Sequence, residues 1–93
     1  MKDLLASCRA RSREMEDLLA DLTRIESPST DAEGVARLAR RVADELEHLG
    51  LPVELLPVDG AGPVLRAWRG SRPVMLLGHL DTVWPIGTLQ SMP

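Results

Sequence analysis

The stretch Pro73-Val74-Met75-Leu76-Leu77-Gly78-His79-Leu80-Asp81-Thr82-Val83 decides the fold predicted for this chain. Its unbroken apolar run, Val74 to Leu77, is bounded by Pro and Gly, which is typical of a strand buried on both faces of a sheet. In open α/β sheets, ligands bind just beyond the carboxyl ends of the strands. His79 and Asp81 lie at that end and are therefore the candidate functional residues.

Two amphipathic helices are predicted before this strand. Apolar residues at helical spacing predict the first helix over residues 2–25, with Cys8 as a small buried residue on its apolar stripe. The loop Glu26-Ser27-Pro28-Ser29-Thr30 ends that helix, because proline disfavours helical geometry in the residue before it. Thr30-Asp31-Ala32-Glu33 has the form of a capping box and predicts the start of the second helix, which Gly50 then ends.

Three strands are predicted to follow the helices. The first covers residues 53–58 and the second residues 64–69, and the turn-forming stretch between them predicts a hairpin. The third, Val74 to Gly78, is predicted to be the central one, and the segment after Thr82 has no clean period. The predicted order is therefore α-α-β-β-β, a single small α/β domain over the 93 residues.

Composition excludes several classes of function. A net charge of −3, with Trp68 and Trp84 as the aromatic residues, argues against nucleic-acid binding by a basic patch or by base stacking. No apolar run approaches the ~20 residues that span a membrane, and the amino terminus lacks the apolar core of a signal peptide. Cys8 has no cysteine to pair with, which fits a reducing compartment. We therefore expect a cytoplasmic protein that binds neither nucleic acid nor membrane.

The spacing of His79 and Asp81 suits a metal ligand and its orienting carboxylate. Side chains two residues apart on an extended chain point the same way, so Asp81 is expected to reach back to the His79 ring. The alternative is an ordinary loop histidine followed by a turn, and spacing alone favours that alternative. His48 is expected to be exposed near the end of the second helix rather than to be a ligand.

Taken together, the motif Met75–Val83 resembles the first metal-ligand motif of the co-catalytic zinc peptidases. This family includes aminoacylases, succinyl-diaminopimelate desuccinylase, peptidase T and glutamate carboxypeptidase. The loop Ile25–Ser29 also resembles the family's loop between its first two helices. The stretches that are similar to the glutamate carboxypeptidase branch are Asp31–Val35, Leu46–Gly50 and Val83–Leu89.

The resemblance implies the start of a zinc-exopeptidase-like α/β/α sandwich with a mixed sheet. It also implies a hydrolase that binds two zinc ions, in which His79 is a metal ligand and Asp81 is a catalytic residue that orients and polarises its ring. The implied substrates are amides next to a free carboxylate, such as N-acyl amino acids or peptides ending in glutamate. The family's other ligands, its Glu-Glu pair and its lid domain correspond to nothing in residues 1–93.

Residues 1–93 are accordingly expected to be the amino-terminal portion of such a catalytic domain and to be inactive alone. The alternative from another class is a non-catalytic α/β module, which would use an exposed sheet edge to bind a partner or to form a homo-oligomer.

Overall fold

The computed structural model of the protein describes residues 2–71 and 75–92. Helices and a two-stranded antiparallel sheet make up an α/β mixture. In chain order the elements are α1 (Lys2–Ala10), α2 (Ser12–Thr23), α3 (Ala32–His48), β1 (Val53–Val58), β2 (Ala61–Ala67) and α4 (Thr88–Ser91). None of the helices in these ranges is long and apolar enough to cross a bilayer.

The first predicted helix is two helices, because the chain bends at Arg11 between α1 and α2. Arg11 has φ −106° and ψ 11°, outside helical geometry, and its N–H donates to the Cys8 carbonyl at 3.2 Å. Residues 3–10 are all exposed, so α1 packs on no core. The prediction of a buried Cys8 is therefore wrong, since the stripe that was to bury it faces solvent.

The core of the protein lies on one face of α3. Its buried residues are Gly34, Val35, Leu38, Ala39 and Ala43. The helix begins one residue later than the predicted capping box, because the cap is Asp31, whose carboxylate accepts from the N–H of Gly34 at 3.2 Å. The prediction that Gly50 ends the helix is confirmed: Gly50 has φ 82° and follows the last turn.

The predicted hairpin is confirmed, with a longer second strand than the sequence suggested. β1 and β2 pair antiparallel from Val53↔Ala67 to Val58↔Ala61. The register shifts between Leu56 and Val58, so the pairing continues through a bulge to Ala61. Predicting the second strand over 64–69 missed this extension and overran its end.

The third predicted strand is not formed over Met75–Gly78, and Val74 lies outside the described residues. Met75, Leu76 and Leu77 are 83%, 95% and 89% exposed, so the expected central, buried position is also wrong for them. A strand needs a neighbouring backbone to pair with, and in the described ranges β1 and β2 pair only with each other. The three-stranded mixed sheet is corrected to two antiparallel strands, and the sandwich stays a prediction.

Candidate functional site

The candidate site is built where the loop after α2 meets the segment that carries Asp81. The Thr82 N–H donates to the Ser27 carbonyl at 2.8 Å, and the Ser29 N–H donates to the Thr82 carbonyl at 3.0 Å. These two bonds form a parallel bridge between Pro28 and Thr82. They join residues more than fifty positions apart, so the site exists only in the folded chain.

Ser27 anchors this junction from within. Its side chain is 1% exposed, and its hydroxyl donates to the Leu80 carbonyl at 2.7 Å. A buried hydroxyl without a partner costs free energy, so the bond to Leu80 satisfies both groups. The junction comprises residues 27–29 on one side and residues 80–82 on the other, and we call it the loop clasp.

His79 and Asp81 lie together at the edge of the loop clasp. Nδ1 of His79 is 3.6 Å from Oδ1 of Asp81, and the two side chains are 88% and 41% exposed. This distance is too long for a hydrogen bond, so the contact is electrostatic: the carboxylate charge attracts a protonated ring and, in the neutral ring, favours the N–H at Nδ1. The two side chains lie on the same side of the chain, and their catalytic and metal-binding roles stay predictions.

A third side chain, Ser29, completes this group. Its hydroxyl donates to Oδ2 of Asp81 at 2.6 Å. That hydrogen bond is the main cause of a lowered pKa at Asp81, and partial desolvation opposes it. The backbone N–H of Asp81 and the positive charge of a protonated His79 add to the lowering. Asp81 is therefore a carboxylate near neutral pH.

Sequence reasoning did not find Ser29 as a functional residue. Ser29 was placed in a loop that breaks a helix, and nothing in its local spacing indicates a partner 52 residues later. A signal was present in the resemblance of the Ile25–Ser29 loop, but it named no contact. The hydroxyl became a candidate only when the fold brought it to Asp81.

Potential metal ligands are not clustered in the part of the chain that the structure describes. No three His, Cys, Asp or Glu side chains there are grouped so that they would hold a metal ion. His48, as predicted, is exposed, and its Nδ1 lies 2.7 Å from the Asp44 carbonyl on its own helix. In the described ranges, the pair His79 and Asp81 is thus not joined by a third side chain of these types.

Two open clefts meet at His79 and Asp81, which line both of them. The helix-side cleft, about 530 Å³, lies between α2, α3 and the segment from His79 to Met92. The strand-side cleft, about 680 Å³, lies between β2 and the segment from Leu76 to Asp81. The candidate pair thus borders both clefts, and a molecule bound in either of them would lie next to it.

The Glu26 side chain stabilises the far wall of the helix-side cleft. Its Oε2 accepts from the N–H of Gly87 at 2.6 Å, just before α4. Gly87 has φ 95°, a backbone conformation that favours glycine. Both walls of that cleft are therefore connected to the loop that also carries Ser27 and Ser29.

Comparison of the chain with family models, with curated proteins and with solved structures finds no match.

Proposed function

We propose that this chain supplies one metal ligand, His79, and its orienting carboxylate, Asp81, to the site of a zinc-dependent amide hydrolase. The observation that carries the proposal is the 3.6 Å approach of Asp81 Oδ1 to Nδ1 of His79. A metal-binding histidine usually has its second ring nitrogen next to a carboxylate, carbonyl or water. The resemblance of Met75–Val83 to the zinc-peptidase motif supports the same assignment.

The contacts of these residues suit the chemistry of a zinc ligand. A carboxylate next to Nδ1 favours the proton on that nitrogen and leaves the lone pair on Nε2 for a metal ion. The His79 side chain is 88% exposed and lines both clefts, so its ring is accessible to a metal ion from solvent. When bound in such a site, zinc lowers the pKa of a bound water and polarises the carbonyl of the scissile amide.

The substrate class in the proposal is an amide next to a free carboxylate, such as an N-acyl amino acid or a peptide ending in glutamate. The resemblance alone supports this class. Because catalytic zinc takes three protein ligands, one histidine does not suffice. The proposal therefore treats residues 1–93 as the amino-terminal portion of a catalytic domain, with no hydrolysis by this chain alone.

Zinc titration tests the assignment of His79. In a chain labelled with ¹⁵N histidine, we expect Zn²⁺ to shift the His79 imidazole resonances. The binding should be weak and should not saturate at one equivalent of zinc. The shifts should be lost in His79→Ala and kept in His48→Ala, the matched control. Equal responses of the two histidines, or none at His79, would contradict the assignment. Tight stoichiometric binding lost in His79→Ala would contradict the claim that the site is incomplete.

On the proposal that residues 1–93 are part of a longer catalytic domain, the activity itself is tested on the product of that longer reading frame, purified with zinc. We expect it to release free amino acid from N-acyl amino acids or from peptides ending in glutamate. Release should stop with a chelator and in His79→Ala. Failure to cleave any substrate of either type would refute the proposed activity.

A second candidate function is self-association through the segment Met75–Leu77. Three consecutive apolar side chains that are more than four-fifths exposed are unusual on a monomer surface, where contiguous apolar patches mark contact sites. The partner in this candidate function is a second copy of the chain. Sedimentation should show concentration-dependent dimers that Leu76→Lys abolishes and that Leu5→Lys, at another exposed leucine, leaves intact. A monomer at all concentrations excludes this candidate.

A further inference from the structure

We infer that Ser29 is a positioning residue for the candidate site: its hydroxyl holds the Asp81 carboxylate in the orientation that presents Oδ1 to His79. The inference rests on the proposed function, since it assigns a part in that same site. Among the described residues, the Ser29 hydroxyl has Asp81 and the Thr82 carbonyl as its hydrogen-bond partners, and not His79. It acts on His79 through Asp81.

The two carboxylate oxygens of Asp81 have different neighbours. Oδ2 of Asp81 accepts from the Ser29 hydroxyl at 2.6 Å, while Oδ1 lies 3.6 Å from Nδ1 of His79. A short bond to one oxygen fixes the rotation of the carboxylate about its own axis. Because the Asp81 side chain is 41% exposed, removal of that bond would let the carboxylate rotate in solvent.

Ser29 is itself held in place by the loop clasp. Its N–H donates to the Thr82 carbonyl at 3.0 Å, and its Oγ lies 3.3 Å from the same oxygen. The preceding residue, Pro28, has a fixed φ angle, and Ser27 is buried beneath it. Although Ser29 is exposed, its backbone is bonded to the residue that follows Asp81, so its hydroxyl is held near that carboxylate.

The orientation of the Asp81 carboxylate bears on the tautomer of His79. A carboxylate charge beside Nδ1 of a neutral histidine favours the proton on that nitrogen and leaves Nε2 unprotonated. An Asp81 carboxylate turned away from the ring would remove that preference. By orienting the Asp81 carboxylate, Ser29 thus determines which nitrogen of His79 offers a lone pair.

The test is the tautomer of His79, read from the ¹⁵N shifts of both ring nitrogens in mildly alkaline solution, where the two forms of the neutral ring are compared. In the unmodified chain we expect the Nδ1–H form to predominate. In Ser29→Ala both shifts should move toward each other, which reports a mixture of tautomers. Ser29→Thr keeps the hydroxyl and should restore the original shifts.

Controls separate positioning from general disruption. Ser12→Ala removes an exposed serine at the opposite end of α2 and should change nothing, and His48 serves as an internal reference. The amide resonance of Thr82 reports whether the loop clasp stays folded in each variant. Asp81→Ala should give the same tautomer mixture as Ser29→Ala.

The possible results decide the inference and the proposed function separately. If Asp81→Ala changes the tautomer and Ser29→Ala does not, Ser29 is no positioning residue, while the pairing of His79 with Asp81 stands. If neither variant changes it, the role of Asp81 in the proposed function fails together with the inference. If Ser29→Thr disturbs the tautomer as much as Ser29→Ala, the hydroxyl is not responsible and the inference is overturned.

Discussion

Removing the Ser27 hydroxyl tests whether the loop clasp stabilises the fold. Ser27→Ala deletes the donor that the Leu80 carbonyl accepts from at 2.7 Å, at a side chain that is 1% exposed. A net hydrogen bond is worth about 0.5–1.5 kcal/mol, and a buried group left without a partner costs about 1–3 kcal/mol. Leu80 is half-buried, so water reaches its carbonyl in part, and we expect a loss of about 1–2 kcal/mol.

That loss is large relative to the stability of a chain of this size. Folded proteins have about 0.05–0.15 kcal/mol of stability per residue, and urea slopes for small proteins are about 1–3 kcal/mol per molar. The urea midpoint of Ser27→Ala should therefore fall by roughly 0.3–2 M. Hydrogen exchange at the Thr82 amide, which donates to the Ser27 carbonyl at 2.8 Å, should accelerate at the same time.

The control for this experiment is Ser12→Ala, at an exposed serine outside the loop clasp. It should leave the midpoint unchanged within error, since surface substitutions usually alter stability by no more than about 0.5 kcal/mol. A change of less than about 0.5 kcal/mol in Ser27→Ala as well, with Thr82 exchange unaltered, would refute the role given to this hydrogen bond.

Three further predictions concern α3 and the Ser29 hydroxyl. Gly34→Ala gains about 1 kcal/mol of helix propensity, but its Cβ would lie 2.6 Å from the Glu26 carbonyl oxygen. Chemical denaturation should show a net loss of about 1–2 kcal/mol, and a more stable variant would contradict the close approach. Leu38 is 7% exposed and lies in the core. Leu38→Ala should lower the free energy of unfolding by about 2–4 kcal/mol in the same measurement, and a loss of less than about 1 kcal/mol would argue against that core. The pKa of Asp81 is lowered in the folded chain, chiefly by the Ser29 hydroxyl. Ionised Asp81 therefore stabilises the folded chain above its unfolded pKa of about 3.9. That stabilisation is lost as the pH falls through the pKa of Asp81 in the folded chain. Unfolding measured from pH about 5 down to about 2 should therefore show a weaker loss of stability in Ser29→Ala than in the unmodified chain, whereas identical slopes would contradict the effect.

Local patterns were sufficient for α3 and for the hairpin. The apolar face of α3 repeats at helical spacing and Gly50 ends it, so neighbouring residues alone specify the element. The turn between β1 and β2 likewise carries its own signal, with Gly60 at φ 73°. The cap was misplaced by one residue, because both Thr30 and Asp31 are good capping residues and only geometry chooses between them.

Non-local pairing explains the main failure, at Met75–Gly78. An apolar run indicates that a segment suits a buried strand, but strand formation also needs a paired backbone edge. No such partner lies beside Met75, Leu76 or Leu77 in the described ranges, and these side chains are exposed. The same limit applies to α1, whose apolar residues have helical spacing but no surface to pack against.

For the candidate site, the sequence by itself determined that His79 and Asp81 are two residues apart, a spacing at which side chains on a locally extended chain point the same way. Only the tertiary structure decided that Ser29 bonds to Asp81 and that Ser27 anchors the segment beneath them. These contacts join residues more than fifty positions apart, and no short-range pattern specifies them. They form because packing of the loop after α2 places unpaired hydroxyl and backbone groups next to the segment at Leu80–Thr82, where each finds a hydrogen-bond partner.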